Sequence, residues 1–376
     1  MKKTFLLIGL LIQFALHAQD TKVVSSTWTS FTQSINVESK TEKKFKIEAS
    51  VKAVIADEHA WAGVWARVDK KDGGYGFFDN MGDRPINTDT WQTYTVEGTF
   101  DATSKSINFG GLCEYNGKFY FDDFKLYIEN DKGILEPVKI TNGDFEKKVE
   151  NGTVPRWSFG VSKGKSIKVK EFDVTSTTDK AEGKLALLVE GKGIVFKDSY
   201  KIKPMEDVSP QIGTLIAMLE NLKDRVENQV KNMSQYELDY LHDDKANRIG
   251  SLIMHLAAAE KYYQLYTFEN RGFNEEEKKI WQTALDLDQG GRDELRNHDA
   301  QYYLDIFNEV RAKTIAELKK RDDAWLMEVH ENSGMNNFFG WFHVMEHQSS
   351  HLGQILFLKK RIPPEPEVNL EQPIKN

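Results

Sequence analysis

Ser209-Pro210 divides this chain into two halves whose apolar residues repeat with different periods. Upstream, Phe45, Ile47, Ala49, Val51 and Ala53 alternate with Lys46, Glu48, Ser50 and Lys52, the period of two that marks a half-buried strand. Ala62, Val64, Ala66 and Val68 alternate in the same way with Trp61, Gly63, Trp65 and Arg67. Further strand-like runs start at Trp91 and Phe119, and Gly73-Gly74 and Asn116-Gly117 read as turns between them. Downstream the period is helical. Ser209 is placed to cap a helix with proline at its first position. Leu215, Leu219, Leu222 and Val226 mark that helix, and Ile249, Leu252, Leu256 and Ala259 mark a second. A third is predicted over 300–320 and a fourth over 337–361, stopped by Pro363-Pro364, with an extra helical piece over 275–287. The expected fold class is therefore multidomain, an N-terminal all-β jelly roll or sandwich followed by a C-terminal all-α four-helix bundle.

The chain has 376 residues, enough for two or three domains, and 40% hydrophobic content, enough for packed cores. The expected divisions are a signal peptide over 1–18, a β-sandwich over 19–131, a second β-rich segment over 132–205, the bundle over 206–362 and a Pro-rich tail over 363–376. The second segment opens on Asn142-Gly143-Asp144-Phe145-Glu146 and carries Trp157; it either completes the first sandwich or forms a reduced module of its own. Lys2 and Lys3, the apolar run Phe5 to Ala15 and Ala18 before Gln19 form the signal-peptide pattern. That run is shorter than the ~20 residues a spanning helix needs. No cysteine follows it to accept a lipid, so an exported protein, periplasmic or extracellular and without a membrane span in its mature part, is expected.

Fifty Lys and Arg against 58 Asp and Glu give a net charge of −8, no basic field for a phosphate backbone, so nucleic acid is not an expected partner. The single cysteine, Cys113, excludes an internal disulfide and a Cys-rich metal knuckle and reads as structural.

Three of the nine histidines, His343, His347 and His351, stand at spacings of four on one predicted helix. Each step of four drifts by about 40°, so an adjacent pair converges on one ion more readily than all three. His347 and His351 then need a ligand from elsewhere, and His255, set among Leu252, Leu256 and Ala259 on another helix, is the best candidate. His343 is assigned to lining a ligand pocket or to packing, and His59, His242, His298 and His330 fall in predicted loops.

His347, three intervening residues, His351 and then Gly353-Gln354-Ile355, with His255-Leu256-Ala257-Ala258-Ala259-Glu260 upstream, resemble the DinB-like superfamily of metal-binding four-helix bundles over about 206–362. The resemblance implies His255, His347 and His351 as ligands of a divalent transition metal, zinc first and nickel second, with a position open to water. It also implies a thiol-dependent transferase or isomerase, or a metal-dependent hydrolase. One departure is Gln348, where members often carry Glu directly after the second histidine; Gln348 cannot serve as a carboxylate base. Glu346 lies about 100° around the helix from His347. Glu260 is assigned a structural role in the bundle, and no catalytic base is named.

The β segment resembles galactose-binding and carbohydrate-binding sandwich modules through Phe121-Asp122-Asp123-Phe124, and the run Asp79 to Ile86 with Trp91 is similar to modules beside secreted bacterial peptidases and regulators. Trp61 and Trp65 share one strand face and can form a sugar platform; packing of that face against the second β-rich segment is the preferred reading. Asp122 and Asp123 can bind calcium, but as neighbours on a strand they point to opposite faces. The expected activity is that of a metal-dependent hydrolase or transferase on a small molecule. A thiol transferase is less suited to an exported compartment. The alternative is a non-catalytic glycan- or surface-binding protein with a structural metal site.

Overall fold

The computed structural model of the chain describes residues 22–159, 167–198, 200–330 and 333–366. The expected signal peptide and the tail from 367 onward lie outside the described residues. The chain divides into two compact units, Met1–Phe196 and Lys197–Asn376.

The first unit is β-rich. Its strands are β1 (Lys22–Val24), β2 (Trp28–Asn36), β3 (Lys43–Ile55), β4 (Trp61–Lys70), β5 (Tyr75–Asp79), β6 (Gln92–Phe100) and β7 (Ser104–Glu114). They continue with β8 (Gly117–Glu129), β9 (Leu135–Val138), β10 (Ser158–Phe159), β11 (Ile167–Val169), β12 (Phe172–Thr177) and β13 (Ala186–Gly191). One open sheet runs β10-β2-β7-β4-β5; the other runs β12-β13-β8-β3-β6, with β9 joined to β8, and β1 pairs in parallel with β11. The alternation read in the sequence sets which residues face inward: Phe45, Ile47, Ala49 and Val51 of β3 and Ala62, Val64, Ala66 and Val68 of β4 are all at most 1% exposed and share one core. Phe31 of one sheet meets Phe121 of the other edge to face, with ring centroids 4.9 Å apart. Burying a side chain of this size stabilises the fold by about 1.5–3 kcal/mol. The segment after residue 132 supplies the outer strands at one side of both sheets, since β10 pairs with β2, β13 with β8 and β12 with β13, and its Phe145 and Trp157 pack in the same core against Phe31. Cys113 is buried, which pushes its thiol well above the ordinary range.

The second unit is helical: α1 (Pro210–Val230), α2 (Gln235–Asp239), α3 (Ile249–Phe268), α4 (Glu275–Asp286), α5 (Gln289–Glu294), α6 (Ala300–Leu318), α7 (Asp323–Leu326) and α8 (Asn337–Lys359). The long helix α3 packs against α6, α8 and α4, and α1 packs against α8 and α6. Every residue of α3 from Ile249 to Glu260 is buried, as suits a helix that is apolar all round. No helix among the described residues is long and apolar enough to cross a membrane.

The start of α1 corrects one expectation. Ser209 makes no side-chain cap; its hydroxyl donates to Asp323 of α7, and the same Asp323 Oδ1 accepts the amides of Gln211 and Ile212. The orphan amides of the first turn are satisfied by a carboxylate 112 residues away in sequence, as Gln211 shows.

A polar layer crosses this unit between two apolar clusters, one around Leu256, Phe307 and Leu352 and the other around Leu219, Leu318 and Trp341. Its centre is Arg311, fully buried, whose guanidinium bonds both oxygens of Glu260 at 2.8 Å, Gln348 Oε1 at 3.0 Å and the carbonyl of Leu219. Thr314 adds a hydrogen bond to Glu260 at 2.6 Å. This accounts for the role of Glu260: its carboxylate is fully engaged between α3 and α6.

Candidate metal centre

His255 comes from the buried α3, while His347 and His351 come from successive turns of α8, the helix packed against it. One ring nitrogen from each of the three lies within 4.8 Å of those of the other two. His255 Nε2 is 2.9 Å from His347 Nε2, and His351 Nε2 is 3.0 Å from the same atom.

The outer nitrogens decide the tautomers. His255 Nδ1 lies 2.9 Å from the carbonyl of Ala284, which can only accept, so the proton sits on Nδ1 and Nε2 presents a lone pair. Ala284 is in the last turn of α4, where carbonyls lack helical partners, so the same bond also satisfies a helix end. His351 Nδ1 lies 3.0 Å from Gln354 Oε1 and is likewise the donor, leaving its Nε2 a lone pair. His347 Nε2 holds at most one proton and faces both lone pairs, so at least one of the two close approaches has no hydrogen to bridge it. Additional protons are disfavoured. Burial, then repulsion from His351, His255 and His343, pushes His347 down to about 3; burial also lowers His255 and His351. Three neutral imidazoles with converging lone pairs and outer N–H groups anchored on oxygens are the donor set that a borderline transition metal takes. His347 and His351 are half-buried, so one side of the cluster is open.

His343 stands outside the cluster. Its Nδ1 pairs with Glu346 at 2.8 Å, and its ring lies 5.7 Å from those of His347 and Tyr263. Gln348 points into the polar layer around Arg311 and away from the histidines. Of the contacts that orient the cluster, Gln354 was readable in the sequence, three residues past His351 on the same helix face. The Ala284 carbonyl had no side-chain signal.

In the first unit, Trp65 is 8% exposed and Trp61 is half-buried with its indole N–H bonded to Glu114 at 2.6 Å, so the two do not form an open platform. A Cβ on Gly63, which lies between them on the same face, would stand 2.5 Å from the carbonyl oxygen of Asn80, so the loop after β5 approaches the strand at Gly63. Asp122 is buried and spends Oδ2 on the amides of Ala181 and Glu182, and Asp123 sits at φ 51°, off the regular strand alternation. Trp28, which the sequence reading passed over, is 47% exposed and pairs in register with Glu114, as Trp61 does from the other side.

No family model matches the chain, and no curated protein matches it. Among solved structures, YfiT of Bacillus subtilis, termed a probable metal-dependent hydrolase with an unusual four-helix bundle topology, matches at 20% identity over 42% of this chain and 92% of its own, with a TM-score of 0.31. A protein of Streptococcus pneumoniae matches at 14% identity over 44% of this chain and 97% of its own, with a TM-score of 0.34. The CBM22-1 xylan-binding domain of Paenibacillus barcinonensis Xyn10C matches at 15% identity over 29% of this chain and 65% of its own, with a TM-score of 0.20.

Proposed function

We propose that the helical unit is a DinB-like four-helix bundle holding a catalytic zinc ion, and that the protein is an exported metal-dependent hydrolase. The observation that carries this reading is the convergence of three Nε2 lone pairs, with His255 locked by Ala284 and His351 by Gln354. His255, His347 and His351 would hold the metal, with nickel the second choice. Bound there, the ion supplies Lewis acidity to a carbonyl or phosphoryl oxygen of the substrate. The chain's own part is positional. The Ala284 carbonyl fixes the His255 tautomer, the Arg311–Glu260 pair holds α3 against α6, and Gln348 ties α8 to the same layer. His343, whose Nδ1 pairs with Glu346, is held outside the ligand set. Transferase chemistry is the less favoured branch, because a thiol-dependent transfer is less suited to an exported compartment.

The first unit supports a second, separate reading as a jelly-roll glycan-binding module. Trp28 and Trp61 flank Glu114 across three adjacent strands on one sheet face, an arrangement of rings and a carboxylate that suits a sugar. The test of the main reading is elemental analysis of the purified protein together with ester and amide hydrolysis assays. One transition-metal ion per chain, and hydrolysis abolished by chelation and restored by zinc, are expected; a protein that neither carries nor takes up such an ion is not this enzyme.

A further inference from the structure

One face of α3 leads from the histidine cluster into a row of aromatic rings. His255, Ala259, Tyr262 and Tyr266 stand at i, i+4, i+7 and i+11, so they form a single stripe along the helix. Tyr262 lies about 10 Å along the axis from His255, and Ala259 between them offers only a methyl group. On α8, which packs against α3, His343 precedes the ligand His347 by one turn. The rings of these two histidines stack, with centroids 5.7 Å apart and planes 30° apart. Tyr263 joins the helices: its ring lies 5.7 Å from that of His343 and edge-on to Tyr262, also at 5.7 Å. The row therefore reaches the cluster through a ring in contact with one of its ligands.

These rings do not make up the core. Tyr262, Tyr266, Phe273 and His343 belong to neither apolar cluster of this unit, and all four are half-buried. Tyr262 stacks on Tyr266 at 6.1 Å with planes 15° apart, and Phe273, just before α4, stands edge-on to Tyr262 at 5.7 Å. Each ring is thus oriented by its neighbours while part of it faces solvent. An aliphatic surface accepts any apolar chain, whereas fixed ring faces and edges favour a further ring through offset stacking and edge-to-face contact. Charge on the ligand is not matched here. Glu346 is paired with His343, and Arg271, in the loop that carries Phe273, is paired with Glu269 and Glu277.

We propose that this row is the specificity pocket of the metal centre, and that the substrate carries an uncharged aromatic ring on a slim linker from its scissile ester or amide. The scissile group lies at His255, His347 and His351, the linker crosses Ala259, and the ring lies against Tyr262, Tyr263 and His343. This rests on the hydrolase reading above.

The experiment uses the full-length protein loaded with cobalt(II), whose visible bands report a ligand entering the metal's own shell. Hydroxamates carrying a phenyl ring on one to four methylene groups are titrated against cyclohexyl hydroxamates of the same lengths. Both series grip the metal through the hydroxamate and differ only in the ring. At one length the phenyl compound should bind tighter by about threefold or more, although cyclohexyl is the more apolar group. Tyr262→Leu and His343→Ala should each lose that advantage while keeping the cobalt stoichiometry and the affinity for the cyclohexyl series. Tyr262→Phe, which keeps the ring, should retain it, as should Phe338→Ala, which removes an exposed ring from the side of α8 nearer α1. Should Tyr262→Leu not fold, His343→Ala decides alone. No phenyl advantage at any length, an advantage that survives Tyr262→Leu or His343→Ala, or one lost in Tyr262→Phe or Phe338→Ala overturns the aromatic-substrate assignment and leaves the metal centre standing. Failure to bind cobalt, or bands that no hydroxamate moves, removes the metal centre and this inference with it.

Discussion

The backbone carbonyl of Ala284 accepts the Nδ1–H of His255 at 2.9 Å, so a contact from α4 determines which nitrogen of a buried α3 histidine faces His347 on α8. The cluster thus depends on three helices rather than the two that carry its ligands. Its function as a metal centre should follow that anatomy. Alanine at 255, 347 or 351 should reduce bound zinc at least tenfold, while His343→Ala, whose imidazole is committed to Glu346, should retain it. Zinc at a free concentration of 100 times its dissociation constant should stabilise the unaltered unit by about 2.7 kcal/mol and the triad variants by much less. Elemental analysis and thermal melts with and without zinc measure both. If His343→Ala loses as much metal as His347→Ala, the ligand assignment is wrong.

The metal-free protein should be acid-sensitive in a defined direction. Burial and mutual repulsion hold His347 down to about 3, and burial lowers His255 and His351. An unfolded histidine titrates near 6.5, so between the folded and unfolded values the unfolded chain carries protons that the native state lacks. Stability is therefore unaffected above about pH 7 and falls as the pH drops through about 6.5 toward 3. The slope is at most about 1.4 kcal/mol per pH unit for each histidine, and less for the half-exposed His347 and His351. Melting temperatures of chelated protein across this range should decline more steeply than those of His347→Ala. Equal slopes would show that the cluster does not couple to folding.

The two alternation periods carried most of the architecture, because burial on one strand face or helix stripe writes itself into the order of apolar residues. Ala62, Val64, Ala66 and Val68 of β4 show this, as does the continuous apolar run of α3. The convergence of His255 with His347 and His351 was legible from their spacing and the apolar setting of His255. What escaped were partners supplied from a distance. Asp323 in place of Ser209 at the start of α1, the Asn80 loop over Gly63 and the Ala284 carbonyl on His255 are long-range contacts without local periodicity. The glutamine at 348 also gains its reason only in three dimensions. Arg311 already faces the carboxylates of Glu260 and, at 3.8 Å, Glu220, so another carboxylate at 348 would leave negative charge in excess in a buried layer.

That balance gives the third prediction. Removing the cation, as in Arg311→Ala, leaves Glu260 charged and buried, a loss that typically costs about 3–5 kcal/mol. Gln348→Glu leaves an excess of the same sign, by adding a buried carboxylate to the layer, and should also destabilise. The double change Arg311→Met with Glu260→Leu removes both charges and should recover much of the loss. Denaturant unfolding of the single and double variants separates these outcomes. An Arg311→Ala variant as stable as the parent would mean that the buried pair makes no net contribution.

The tryptophans of the first unit should separate by burial rather than by position in the sequence. Trp65 is 8% exposed, and truncating a buried tryptophan typically costs about 3–5 kcal/mol, so Trp65→Ala should lower the melting temperature of this unit sharply. Trp28 is 47% exposed at the start of β2, so Trp28→Ala should leave the melt nearly unchanged. Trp61 is intermediate, because its indole N–H is spent on Glu114 and its loss leaves that carboxylate oxygen without a donor. If the row Trp28, Glu114 and Trp61 contacts a glycan, xylan or another soluble polysaccharide should quench or shift the tryptophan fluorescence. Trp28→Ala should then abolish that change while the fold persists. A fluorescence response that survives Trp28→Ala but is lost in a folded Trp61→Phe variant would move the contact to Trp61 alone. No response to any polysaccharide, with Trp28→Ala still fully folded, would remove the glycan-binding reading of this sheet face.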